Sequence, residues 1–449
     1  MQDVKHLTIK KKKGLFRRLL SERREPSNSY RRLIEPPPER PRLRLIVTAI
    51  ALLLAAIPIV SLIVNGRSAA STSRKSQDAS FRGIQLRKEL DVWQSFQLSA
   101  DALPLSRTVG DQLQSDLPGG GTVSYSIDPE LQDQVLDFLK EKKVPYGVFI
   151  AIEPKTGRVL AMVSYSSVAP AWEKTAYYQL YPMASLFKII TASAALEQGK
   201  VGPDTVMAFN GRLASVNPKL WYVHPRHNQE MSLTEAMGKS VNPVFGRLAS
   251  DVVGRDSLLT YAERFGFNQL LFPGTSINPS RAQVPQNDME LKLMGAGLGR
   301  EVKISPIHVA SVMAAVANRG VMMAPTLADQ VRNSSGKVVF TARPQPLRRM
   351  VTEETAAKLA RMLSTSVRSG TSRKAFHDRR GRPMLGNVTI AAKTGSIDGK
   401  DPEGHYSWFA AYAPMDDPQI ALVALVVNQD RWKIKATHVG EKALEAFFR

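Results

Sequence analysis

From Leu45 to Val64 the chain runs for 20 positions without a charged residue. Coiled as a helix, that run would span about 30 Å, the thickness of a bilayer core, and it predicts a transmembrane helix. Beyond it, Arg67 to Ser80 is rich in Ser and Ala with little apolar bulk and reads as a flexible linker. Ile84, Leu86, Leu90, Trp93 and Phe96 then predict one short helix between Phe81 and Leu98. Gly119-Gly120-Gly121 reads as the boundary that closes this small module.

From Val123 the pattern changes to that of a mixed α/β domain. Val123 to Ile127 is a candidate strand, and Asp128-Pro129 supplies an N-cap followed by proline at the first helical position. The helix that follows carries Leu131, Val135, Phe138 and Leu139 on its inner face. Two β-rich runs, Gly147 to Glu153 and Arg158 to Ser164, are joined by the hairpin signature Pro154-Lys155-Thr156-Gly157. An apolar helix opens within Tyr181 to Lys188 and runs to about Gly199. Near the C-terminus, Val388 to Ser396, Trp408 to Tyr412 and Ile420 to Val427 read as three more strands. A closing helix from about His438 carries Val439, Ala443, Leu444, Phe447 and Phe448. Strands from both ends of the domain thus bracket a helical middle, which predicts one sheet with helices on its faces.

Composition fits this picture: 449 residues, 43% hydrophobic and 22% charged, can bury a large core. The net charge of +21 changes it, because the charge is concentrated at one end. Residues 1–44 hold fourteen Lys and Arg, including Lys10 to Lys13, against five Asp and Glu. Such a tail stays cytoplasmic under the positive-inside rule, placing residues 65–449 outside. A 44-residue leader and a 20-residue apolar core are long for a cleaved signal peptide, so the run at 45–64 is read as an uncleaved anchor. The tail is expected on the anionic inner leaflet; its lysine run lacks the neighbouring aromatic residues that would favour nucleic acid. With no cysteine, disulfides, zinc-thiolate sites and thiol catalysis are excluded.

Candidate chemistry begins at Ser185 and Lys188, three residues apart and so on one face of a helix. A serine hydroxyl is a poor nucleophile unless a nearby base takes its proton, and a neutral Lys188 is that base. Neutrality requires burial and a second cation close by. Two further triplets accompany the pair: Ser240-Val241-Asn242, and Lys393-Thr394-Gly395 followed by Ser396. Other signals carry less. Gly295, Gly297 and Gly299 are followed by Arg300 where a nucleotide loop needs glycine; His224 and His227 lack a third metal ligand; Arg373 to Arg382 reads as a solvated basic loop. No metal or cofactor is expected.

The ordered trio resembles the penicillin-binding protein transpeptidases, monofunctional and class B-like with a short N-terminal module. Met231 to Met237, Gly297-Leu298-Gly299 through Ile304-Ser305-Pro306, Gly370-Thr371 and Trp408-Phe409 also resemble family segments, with Ser305 in place of the commoner threonine. The resemblance covers about Thr122 to Arg449. It implies an α/β penicillin-binding/serine β-lactamase-like fold, a mostly antiparallel five-stranded sheet flanked by helices with an all-helical subdomain. The implied division is a basic cytoplasmic tail (1–44), a transmembrane helix (45–64), a linker and juxtamembrane module (65–121) and a transpeptidase domain (122–449).

By the same resemblance Ser185 attacks D-alanyl-D-alanine and Ser240 carries a proton between Lys188 and the leaving amine, with Lys393 as the neighbouring cation. Asn242 holds the substrate peptide or orients Lys188. Thr394, Ser396 and Lys393 bind the terminal carboxylate, Gly395 lets the substrate lie along its strand, and the backbone N–H groups of Ser185 and Ser396 form the oxyanion hole. The implied function is a peptidoglycan D,D-transpeptidase of the bacterial inner membrane, inhibited covalently by β-lactams. A D,D-carboxypeptidase, or a non-catalytic β-lactam sensor or divisome scaffold, is the alternative. The segment Leu271 to Asp288 has no glutamate to direct deacylating water, which argues against a β-lactamase. Residues 66–121 contain no glycosyltransferase, so an integral-membrane glycan polymerase is the implied partner.

Overall fold

A computed structural model describes residues 88–429 and 433–449. The basic tail, the Leu45–Val64 run and the linker lie outside the described residues, among which no helix is long and apolar enough to cross a membrane. The described chain opens with α1 (Val92–Ala102), started by a reciprocal cap. Asp91 accepts from the backbone N–H of Trp93 and Gln94, and the Gln94 side chain accepts from that of Asp91.

Three short strands follow, β1 (Arg107–Val109), β2 (Gln112–Asp116) and β3 (Gly121–Tyr125). Gly119-Gly120-Gly121, expected to be a boundary, forms the turn between β2 and β3, where φ values of 92°, 90° and 106° favour glycine. Asp128 caps α2 (Pro129–Glu141) as expected. The hairpin β4 (Tyr146–Ile152) and β5 (Val159–Tyr165) comes next.

The middle of the chain supplies α3 (Lys188–Glu197), α4 (Leu233–Lys239), α5 (Asn242–Arg247), α6 (Asp288–Gly295) and α7 (Pro306–Ala317). After these come β6 (Ala328–Asn333), β7 (Val338–Thr341) and α8 (Glu353–Arg368). The chain ends with β8 (Ala391–Lys400), β9 (Glu403–Ala413), β10 (Ile420–Asn428) and α9 (Ala436–Phe447).

The main sheet has five strands in the order β8-β9-β10-β4-β5, every pairing antiparallel. Its centre is β10, buried at every position, which explains an apolar run without alternation. Along β9 the faces alternate. Tyr406, Trp408, Ala410 and Tyr412 join the larger core with α3 and α7, whereas Phe409 and Ala411 join a second core with α2 and α9. The helical elements of the first core and the edge strand β8 carry the candidate chemistry.

Two expectations are corrected. β3 does not join the main sheet; it pairs with β2 and β6 in a second five-stranded sheet, β1-β2-β3-β6-β7. The Asp128 cap turns the chain into α2 directly after β3, and the partner for β3 is β6, a short and partly polar strand with little apolar pattern to announce it. For the same reason the insertion between β5 and β8 is not purely helical. The two sheets are tied by Arg158, which bonds both oxygens of Asp329 at 2.9 Å, and Tyr125 Oη donates to Ser99 O of α1 at 2.9 Å. Residues 92–125 are therefore built into the domain, not set beside it.

Phe96 is 1% exposed in the common core, so Phe96→Ala should destabilise the protein by about 3–5 kcal/mol. Urea unfolding followed by tryptophan fluorescence is expected to show one transition at a lower midpoint, with penicillin labelling lost in the same transition. A separate early transition that spared labelling would mean that this segment folds independently.

Candidate active site

Ser185 lies in a 3₁₀ turn, Ala184–Phe187, immediately before α3, instead of within the α-helix. The tighter turn still brings Ser185 Oγ to 2.8 Å from Lys188 Nζ. Ala184 has φ 53°, a left-handed conformation costly for a residue with a side chain. It is held by Met183 N donating to Val302 O, Trp408 Nε1 donating to Pro182 O at 2.9 Å, and the close approach of Gly297. A Cβ on Gly297 would lie 2.2 Å from Ala184 O, so only glycine fits there.

Lys188 is fully buried. Its amine contacts Asn242 Oδ1 at 2.8 Å and the Ala296 carbonyl at 2.5 Å, besides Ser185. Two of these three partners can only accept, so a neutral amine gives them its two N–H groups and turns its lone pair to the serine hydroxyl. Burial, then the charge of Lys393, pushes Lys188 well below the usual lysine range. The Asn242 amide is oriented by its other end, where Nδ2 donates to Ser215 O at 3.1 Å.

Ser240 occupies the C-cap of α4 with φ 58°, a second left-handed non-glycine residue. Its Oγ accepts from Lys393 Nζ at 2.8 Å, and Lys393 also donates to Thr394 O at 2.9 Å. Lys393 is buried, which lowers it to about 7. No carboxylate hydrogen-bonds to either lysine among the described residues. Thr394 is half-buried with its hydroxyl 2.7 Å from that of Thr371; Gly395 is buried opposite Trp408; Ser396 is exposed opposite Ser407.

All eight sequence candidates thus meet at the edge strand β8 and the turns facing it, in two clusters. One is Ser185, Lys188 and Asn242; the other is Ser240 with Lys393, next to Thr394, Gly395 and Ser396. Ser240 bonds Lys393, not Lys188. The residues missed are those acting through their backbone: the Ala296 and Ser215 carbonyls have no side-chain signature, although Gly297 beside the first stands out in the sequence. The basic loop is tied to itself, Arg382 bonding Asp378 at 2.8 Å. His224 and His227 stack at 5.7 Å on an exposed loop, and no cluster of three metal-ligating residues occurs among the described residues.

Comparison with known proteins gives the same assignment from a separate direction. Residues 147–448 match the penicillin-binding protein transpeptidase domain. The chain is 29% identical over 377 residues to the peptidoglycan D,D-transpeptidase PbpA of Mycolicibacterium smegmatis, covering 73% of this chain and 71% of that one. The penicillin G acyl-enzyme of penicillin-binding protein A from M. tuberculosis superposes with a TM-score of 0.58 at 26% identity, over 74% of this chain and 82% of that one. The D,D-transpeptidase domain of a peptidoglycan glycosyltransferase from Eggerthella lenta gives a TM-score of 0.61 at 25% identity, over 79% and 91%. With a matched domain that begins on β4, ends just past the last helix and includes the Ser185, Ser240 and Lys393 motifs, the chain belongs to the penicillin-binding protein transpeptidase family.

Proposed function

We propose that this protein is a serine D,D-transpeptidase that cross-links peptidoglycan stem peptides and is acylated by β-lactams. The observation that carries the proposal is the buried Lys188 amine, 2.8 Å from Ser185 Oγ, with its two remaining partners both acceptors. Ser185 Oγ attacks the carbonyl of D-alanyl-D-alanine while Lys188 takes its proton. The Ser185 and Ser396 N–H groups receive the developing oxyanion. Lys393, Thr394 and Ser396 hold the terminal carboxylate, and the stem peptide lies along the free edge of β8 as an added strand.

Collapse of the tetrahedral intermediate expels D-alanine, whose amine must gain a proton. Ser240 is the relay: its hydroxyl turns from Lys393 towards the leaving group as substrate enters, gives its proton to the amine and regains one from Lys188. The amine of a second stem peptide then attacks the ester, giving up a proton to Lys188, and as the acyl C–O bond breaks Lys188 returns that proton to Ser185 Oγ. Among the described residues no carboxylate hydrogen-bonds to the lysines to activate water, so a penicilloyl ester should be long-lived.

The apolar run at 45–64 is the proposed single-span anchor in the bacterial inner membrane, with the basic tail in the cytoplasm and the catalytic domain outside it. A membrane-embedded glycan polymerase is the proposed partner, as the family resemblance implies, to make the strands that this domain cross-links.

Fluorescent penicillin should label the wild-type protein and leave Ser185→Ala unlabelled; labelling of that variant would remove Ser185 as the nucleophile. Lys188→Ala should slow acylation at least about 100-fold, the low end of general-base contributions, measured by stopped-flow quenching.

Capture of a carboxylate-bearing penicillin needs Lys188 neutral and Lys393 charged. The second-order rate should therefore rise at low pH and fall as pH passes about 7, where Lys393 loses its proton. Lys393→Ala should be slow with no falling limb, and a falling limb that survived it would assign the limb elsewhere. Given a stem-peptide donor and a labelled D-amino acid, the purified enzyme should incorporate the label. Release of D-alanine without incorporation would make it a carboxypeptidase.

A further inference from the structure

Behind Thr394 lies a line of hydroxyl groups that the acyl-transfer steps do not use. Thr394 Oγ1 is 2.7 Å from Thr371 Oγ1, Thr371 Oγ1 is 3.3 Å from Ser366 Oγ, and Ser366 Oγ is 3.0 Å from Ser372 Oγ. Thr371 is exposed at the cleft, whereas Ser366 and Ser372 are buried. Each hydroxyl has one proton to give. If Thr394 gives its proton to a substrate carboxylate, its oxygen is free to accept from Thr371, which accepts from Ser366, which accepts from Ser372. The line then runs in one direction, each donor strengthening the next.

The turn that carries Thr371 grips the second motif as well. Thr371 N donates to Gly238 O at 3.0 Å, two residues before Ser240. The approach is close: a Cβ on Gly370 would lie 2.1 Å from Gly238 O. One residue thus bonds the α4 segment leading to Ser240 through its backbone and β8 through its side chain.

We propose that Thr371 is a positioning residue for recognition of the substrate carboxylate. It fixes the Thr394 hydroxyl as a donor to the anion and sets β8 against the Ser240 turn. The proposal rests on the acyl-transfer reading above. Its signature is selectivity: losing the Thr371 hydroxyl should weaken capture of substrates with a free carboxylate and leave those without one unaffected.

The test compares wild type, Thr371→Val and Thr371→Ser by the second-order acylation rate with benzylpenicillin and with its methyl ester. Thr371→Val should lose about tenfold with the free acid, as expected when one hydrogen bond to a charged group is weakened, and less than about twofold with the ester. Thr371→Ser should restore the free-acid rate, and all three proteins should melt within a few degrees of one another. Equal losses for acid and ester, an unchanged free-acid rate in Thr371→Val, or failure of Thr371→Ser to recover would each overturn the proposal. If wild type is acylated through Ser185 while any of these occurs, the transpeptidase reading stands and only the role of Thr371 falls; if wild type is not acylated at all, both fall.

Discussion

Two lysines are buried in one cleft with no carboxylate bonded to either among the described residues, and most of the site depends on that arrangement. An ammonium taken from water loses solvation that carbonyl and hydroxyl oxygens replace only in part. For Lys188 the cheaper outcome is to release a proton, the more so with the charge of Lys393 nearby, whereas Lys393 is lowered by burial alone. Adding a carboxylate would stabilise the ammonium and silence the base. On the proposed mechanism the same lack of a carboxylate beside the base among the described residues also leaves no such group there to direct water at an ester, so proton-accepting power and a long-lived ester would have one cause.

Holding this arrangement requires a backbone that departs from easy conformations. Ala184 and Ser240 both adopt left-handed φ although neither is glycine, and each lies at a motif serine. Their cost is borne by packing: Gly297 admits the Ala184 carbonyl, Trp408 hooks Pro182, and the Gly370 turn seats against Gly238. Small residues at the contacts and strained ones at the chemistry are two sides of the same geometry.

Much of this was legible in the sequence. The continuous apolar stretches at 408–413 and 420–427 marked two buried strands, though not which was central or which divided two cores. The three motifs name side chains whose chemistry works only if they meet. What stayed hidden was backbone. The Ala296 and Ser215 carbonyls could belong to any residue type, and the 3₁₀ turn at Ser185 has the same three-residue spacing as the α-helix expected there. The second sheet was missed because its strands are short and only partly apolar, and because the glycines at 119–121 serve a hairpin turn as readily as a boundary.

That second sheet bears on how the chain comes together in time. Contacts such as Ser126 with Thr326 close a loop of 200 residues, so β3 leaves the ribosome long before the strand it must pair with. Until β6 arrives, β3 presents an unpaired edge, a surface on which other chains can add. Such long-range pairing must wait for synthesis to deliver its partner, and its loop closure slows the folding step itself. The protein's most vulnerable interval falls between completion of its first hairpin and arrival of residue 328.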